Sequence, residues 1–143
     1  MVILKSLQEI EKIHHACLVV ADVLDDIRRM ITPGVTTLDL DEYAEQKIRA
    51  AGAKPAFKGY RGYPRTLCTS INDQVIHGIP AKDVVLKSGD LLSIDVGAVV
   101  EGFYGDAAVT VPVGNITAKA ERLIRVTEAV SYTHLTLPTK RIV

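Results

Sequence analysis

Two aspartates, Asp95 and Asp106, stand on strands that are otherwise almost wholly apolar, within LLSIDVGAVVEGFYGDAAVTV from Leu91 to Val111. The stretch reads as one β-hairpin. Successive side chains on a strand alternate in direction, so Leu91, Ser93, Asp95 and Gly97 share one face, and Tyr104, Asp106, Ala108 and Thr110 share a face on the return strand. A turn centred on Val100–Glu101, eased by Gly102, sets Asp95 directly opposite Asp106, with β-carbons about 4.5–5.5 Å apart. Two carboxylates at that spacing repel, and burying either one unpaired costs several kcal/mol. One divalent cation, or two, is the simplest offset.

Other residues with chemical potential lie just upstream. His77 opens the segment HGIP, a short connection before the hairpin. A lone histidine before glycine is ordinarily structural, so its nearness to the two aspartates is what draws notice. The segment AKPAFKGYRGYPR gathers Phe57, Tyr60 and Tyr63 among glycines and prolines. These aromatics either fold back on the core or form a binding lip with an apolar wall. Asp90, in Lys87-Ser88-Gly89-Asp90, reads as a turn residue, not a ligand. His14 and His15 are adjacent, about 100° apart on a helix, so they cannot hold one metal together. Cys17 and Cys68 make no disulfide framework and read as reduced thiols. No Ser/His/Asp or Cys/His triad is evident.

The elements that must position these groups are legible from caps and periodicity. Ser6 followed by Glu9 is a capping box, and it predicts a helix to about Met30. The expected buried stripe is Ile10, Ile13, Cys17, Val20, Leu24 and Ile27. Thr32-Pro33-Gly34 ends that helix. A second helix is expected from Thr36 or Thr37 to Ala51, burying Leu40, Tyr43, Ala44, Ile48 and Ala51, with Gly52 as its cap. Thr66–Ile71 reads as a strand, Asn72-Asp73 as a turn, and Val75-Ile76 as renewed extended structure. A third helix follows a Thr117 cap, with Leu123, Ile124 and Val126 apolar. The fold class is α/β of the α+β type, an antiparallel sheet with covering helices.

Composition narrows the partners. The chain has 143 residues, one domain's length, and its 17 basic and 17 acidic residues cancel. That balance argues against a basic nucleic-acid surface and against polybasic membrane attachment. The apolar opening MVILK is too short for a signal peptide or a membrane span. The expectation is a cytoplasmic protein without direct nucleic-acid or membrane binding.

The motifs GYRGYPRTLCTSINDQVIHGIP and LKSGDLLSIDVGAVVEGFYGDAAVTVPVG together resemble the N-terminal half of the type I methionine aminopeptidases. The resemblance runs from about Ile3 to Ala129, through HGIP, IDVG and GFYGDAAVT. It implies the N-terminal half of a pita-bread fold, two α/β halves around a curved antiparallel sheet. It also implies removal of the initiator methionine from nascent chains, by a water bridging two divalent metals, Co, Mn, Fe or Zn. Asp95 then matches the aspartate that grips one metal with both oxygens, and Asp106 the one that bridges both. His77 matches a histidine beside the substrate that hydrogen-bonds the scissile amide. Tyr60, Tyr63 and Cys68 match residues lining the methionine pocket, and Phe57 is placed there less directly. Implied partners are N-terminal methionyl peptides, with transient ribosome proximity and a monomer at full length. A relative on the same fold, such as an Xaa-Pro aminopeptidase, and a non-catalytic partner-binding protein are the alternatives. The aromatic loop with HGIP speaks against the first, and the retained Asp95, Asp106 and His77 against the second.

The sequence departs from the family in its last part. The family's remaining ligands, one histidine and two glutamates, lie on the second half. His134 sits in YTHLTLP, which does not resemble the ligand motif, and no glutamate follows Glu128. The chain is therefore expected to be inactive by itself. Val130–Thr139, VSYTHLTLPT, can be encoded by GTC TCT TAT ACA CAT CTG ACG CTG CCG ACG, a transposase sequencing adapter. The adapter's next A and its index bases fill the codons of Lys140, Arg141 and Ile142. GTG then gives Val143 and TAG a stop. Residues 130–143 are expected to be adapter read-through, with 3–129 as the biological half-domain.

Overall fold

The computed structural model describes residues 4–135, with side chains to residue 133. Helix α1 spans Leu7–Met30 and α2 spans Thr37–Ala50. A short strand β1, Lys54–Pro55, and a 3-10 turn at Tyr60–Gly62 follow. Strand β2 is Leu67–Ile71, β3 is Leu91–Val100, β4 is Phe103–Pro112, and α3 is Ala118–Leu135. The expected α+β architecture holds. All strand pairs are antiparallel, and β3 is central: β1 and β2 share one of its edges and β4 takes the other.

Both long helices begin at reciprocal caps. The Glu9 amide donates to Ser6 Oγ while the Ser6 amide donates to Glu9 Oε2, and Thr36 with Asp39 repeats the arrangement. Each cap satisfies amides that the first helical turn leaves open. Gly52, at φ +73°, follows the end of α2, as expected of a glycine past the helix C-terminus.

The core lies between the helices and one face of the sheet. Strand β3 buries Leu92, Ile94, Val96 and Ala98 against α1 and against Leu40, Ala44 and Ile48 of α2. The α1 stripe differs from the expected one. Ala16, Val19, Val20, Val23 and Ile27 are buried, whereas Ile10 and Cys17 are exposed. The cause is a close approach: a β-carbon on Gly105 of β4 would lie 2.5 Å from the Ala16 carbonyl. The helix turns its smallest residue toward the strand, and Cys17, one residue on, is rotated outward by about 100°. Ala51, just past the end of α2, is exposed, and the helix's buried stripe also carries Thr37 and Asp41. Val75 and Ile76 are not strand; both sit exposed in an irregular loop, with 87% and 67% of their surface open.

The hairpin turn is Glu101–Gly102, with φ of +49° and +86°. Two central residues of positive φ are what a two-residue hairpin loop requires. The centre therefore falls one residue later than Val100–Glu101, and Asp95 pairs with Ala108 while Asp106 pairs with Gly97. The two aspartates are diagonal neighbours, not direct partners. The outer edge of β4 has no strand partner among the described residues. Helix α3 starts where expected, the Ala120 amide donating to Thr117 Oγ1 at 3.2 Å, but Leu123 and Val126 remain largely exposed. It continues through residues 130–135 of the expected read-through; residues 136–143 lie outside the described ones.

Candidate metal centre

On the sheet face turned away from the helices, β3 presents Ser93, Asp95 and Gly97, β4 presents Asp106, Ala108 and Thr110, and β2 presents Cys68 and Ser70. Asp95 and Asp106 occupy opposite corners of a small quadrilateral whose other corners are Ala108 and Gly97. Diagonal β-carbons in such a ladder lie about 7 Å apart. The small residues at the other corners, Ala108 and Gly97, let the two carboxylates approach each other across the diagonal. Phe57 closes one side: a β-carbon on Gly97 would lie 2.8 Å from its ring. Above the carboxylates, the Ser93 and Thr110 hydroxyls bond each other across the strands at 2.9 Å.

The electrostatics follow from that placement. Burial, the Asp106 charge and a hydrogen bond with Asp106 together push Asp95 up to about 6, against the opposing pull of His77. Folding thus disfavours the charge on Asp95, and a nearby cation would restore it. Cys68 stands directly opposite Asp95 on β2 and is buried. Burial raises its thiol pKa, and Asp95, Asp106 and Asp41 raise it further, which opposes thiolate formation. Tyr63 is half-buried, and burial followed by contact with Cys68 raises its hydroxyl well above the usual value. The Tyr63 hydroxyl donates to the Leu67 carbonyl at 2.8 Å.

The residues expected at the site thus fall into two groups. Asp95, Asp106, His77 and Cys68 line one cleft of about 1140 Å³ that opens along β4 between α1 and α3. Tyr63 touches Cys68, and Phe57 packs on Gly97, so both border the carboxylates from the β1–β2 side. Tyr60 is not brought in. It lies 65% exposed beside the Arg61 guanidinium, 5.4 Å from its ring, on a turn where Gly59, Arg61 and Gly62 all have positive φ. Asp90 serves its turn, accepting from the Lys87 amide at 2.8 Å and from the Asn72 side chain at 2.9 Å. His14 and His15 are exposed.

Two carboxylates with a neighbouring imidazole fit a divalent cation of the harder or borderline kind. Among the described residues no cluster of three histidine, cysteine, aspartate or glutamate side chains closes such a site. Sequence reasoning missed Asp41, which is 1% exposed on α2 and accepts from the Thr66 and Leu67 amides, each at 2.8 Å, fixing the entry to β2. The signal was present: an acid spaced four after Thr37 and three before Ala44 sits on the buried stripe.

The chain matches the description "Metallopeptidase family M24" over residues 11–137. It is 48% identical over 128 residues to the methionine aminopeptidase of Clostridium acetobutylicum, covering 90% of this chain and 51% of that protein. The crystal structure of methionine aminopeptidase from Thermotoga maritima superposes with a TM-score of 0.88 at 45% identity, over 91% of this chain and 52% of that one. Prolidase from Pyrococcus furiosus superposes with a TM-score of 0.77 at 25% identity, over 89% of this chain and 36% of that one. The chain spans about half the length of the curated relatives it matches. Its fold is that of half of these pita-bread proteins.

Proposed function

The chain belongs to metallopeptidase family M24, and from that membership we propose that residues 3–129 are the N-terminal half of a catalytic domain that removes the initiator methionine from nascent proteins. The observation that carries the reading is the diagonal pair of carboxylates on one sheet face, with His77 in electrostatic reach of Asp95. Asp95 and Asp106 would hold divalent metal, two ions of Co, Mn, Fe or Zn, together with one histidine and two glutamates from the other half. Bound there, the metal supplies Lewis acidity toward the scissile carbonyl and acidifies the attacking water. His77 donates to the scissile amide region as charge develops. Cys68, Tyr63 and Phe57, with Tyr60 at the rim, wall the space for an unbranched thioether side chain. The substrates are N-terminal methionyl peptides, met close to the ribosome in the cytoplasm, and the full-length protein is a monomer. We read residues 130–143 as adapter read-through; genomic sequence that continues past codon 129 with these same codons overturns that reading.

The test is reconstitution. Joined after Ala129 to the second half of the Clostridium acetobutylicum relative, the chain is expected to release methionine from a methionyl tripeptide when Mn²⁺ or Co²⁺ is added. Asp106→Asn in the same protein is expected to lower kcat/KM by on the order of 10³-fold or more, since two-metal sites fail when a bridging ligand is lost. Equal rates in the two proteins would sink the assignment. A preference for an Xaa-Pro peptide over the methionyl one would favour a prolidase-like specificity, which the Pyrococcus furiosus likeness keeps in view.

A further inference from the structure

His77 is held in a backbone conformation that few residues other than glycine adopt. Its φ is +59°, in the left-handed region where a side chain is normally strained. Such a conformation persists only where neighbours over-determine it. The neighbour here is Gly78, which lies flush on β2: a β-carbon on it would sit 2.0 Å from the Thr69 carbonyl oxygen and 2.8 Å from the carbonyl carbon. Three bonds fasten it. The Thr69 amide donates to the Gly78 carbonyl at 2.8 Å, the Gly78 amide donates to Ser70 Oγ at 3.2 Å, and the Tyr63 hydroxyl donates to the Gly78 carbonyl at 3.2 Å. Ser70 is 4% exposed and stands on the same sheet face as Asp95, one side-chain position along from Cys68.

Before this anchor the chain is exposed and irregular. Val75, Ile76 and His77 are exposed, and none of them belongs to a strand. Gly78 is thus the point at which the loop's direction is set, and His77 is the first residue whose side chain depends on it.

We propose that Ser70, through the Gly78 amide, is the positioning residue for His77, and that Tyr63 completes the clamp at the next peptide, on the carbonyl of the same glycine. Ser70 touches no reacting atom. It accepts the one Gly78 hydrogen bond that no backbone carbonyl takes, and so fixes the peptide that orients the imidazole over the carboxylates. Tyr63 has two roles by this account, its ring facing Cys68 and its hydroxyl tying the loop to β2. The proposal rests on the aminopeptidase reading for the catalytic meaning of His77, but not for the clamp itself.

Two measurements separate the two. In the 143-residue chain labelled with ¹⁵N, Ser70→Ala is expected to abolish protection of the Gly78 amide from solvent exchange and to move the His77 ring resonances. Amides of β2 that pair with β3 keep their protection, and Ser70→Thr restores the parent pattern. In the reconstituted enzyme, Ser70→Ala is expected to lower kcat by on the order of 10- to 100-fold, with KM for the methionyl tripeptide and Mn²⁺ affinity within about twofold. Ser70→Thr recovers most of that loss. Unchanged Gly78 protection and His77 resonances in Ser70→Ala overturn the clamp. So does a loss of activity that tracks a fall in Tm and that threonine does not rescue, because that is a structural defect. If the unmodified reconstituted enzyme is inactive while the resonances respond as expected, the clamp stands and the aminopeptidase reading fails.

Discussion

The two thiols of this chain have opposite surroundings, and their reactivity should show it. Cys17 is exposed on α1, turned out by the Ala16–Gly105 contact. Cys68 is buried against Asp95 and Tyr63, and both its burial and the nearby carboxylates resist ionisation. The thiolate is the reactive species, so iodoacetamide at neutral pH is expected to label Cys17 at least about tenfold faster than Cys68. Mass spectrometry of the peptides at early times checks it; equal labelling would mean that the Cys68 environment is open. Each thiol had a sequence reading, and one of the two failed. Thr66–Ile71 read as a strand with Cys68 inside it, and the resemblance placed that thiol in a pocket wall; β2 is buried on both faces, so no alternation marks it. The helix stripe placed Cys17 inward as well, because a 3.6-residue period admits two adjacent stripes, and the contact that chose between them lies almost ninety residues away in sequence. The exposed position of Tyr60 follows from a run of positive-φ residues that only coordinates reveal.

At the scale of elements, glycines serve two separable purposes. Gly105 is a spacing residue: an added methyl would collide with α1 backbone at 2.5 Å, and backbone cannot swing aside as a side chain can. Gly102 is a conformational residue, at φ +86° with open space around it. Gly105→Ala is expected to destabilise the protein by about 2–3 kcal/mol, through helix displacement. Gly102→Ala should cost about 1 kcal/mol, from turn strain alone. Urea midpoints of the two variants measure the difference, and a Gly105→Ala midpoint equal to the parent's would remove the close approach as the cause of the stripe rotation. The hairpin itself was legible in the sequence as alternation plus a bend at Val100–Glu101 beside Gly102. Its exact centre was not, because choosing it requires knowing that both loop residues take positive φ. The caps of α1 and α2 were legible to within a residue, since each is a local, reciprocal pair of bonds.

For the whole molecule, Asp41 couples the helical layer to the sheet. It is a buried acid whose pKa is raised by burial, with the Thr66 and Leu67 amide bonds and then Arg65 and Lys58 opposing. An acid with a raised folded pKa binds its proton more tightly in the native state than in the unfolded one. Its contribution is therefore fully present below the ordinary value of 3.8 and is lost as pH rises through the folded value. Asp41→Asn keeps an oxygen for both amides and carries no charge. Relative to the parent, it is expected to gain stability as pH rises from 4 toward neutrality and to match it in acid. Asp41→Ala strands two buried amides and should cost about 3 kcal/mol in acid, with the gap to the parent narrowing as pH rises. Denaturation curves at several pH values test both; a parent whose stability rises relative to Asp41→Asn between pH 4 and 7 would contradict the sign. Among the described residues no helix is long and apolar enough to cross a membrane, and the molecule's large exposed apolar side chains lie mainly on α3 and in the loop before β3.

The hairpin register has a consequence of its own. Moving the bend by one residue displaces each cross-strand partner by two, and two is the period of a strand. Asp95 and Asp106 therefore land on the same face under either centre, and only their separation changes. Parity here acts as a checksum. A bend moved by a whole residue still delivers both acids to one side, whereas a single residue inserted within β3 or β4, between an acid and the bend, would turn that acid toward the core. Single-residue insertions in these strand segments are therefore expected to be rejected, whereas the loop itself can lengthen without changing either face.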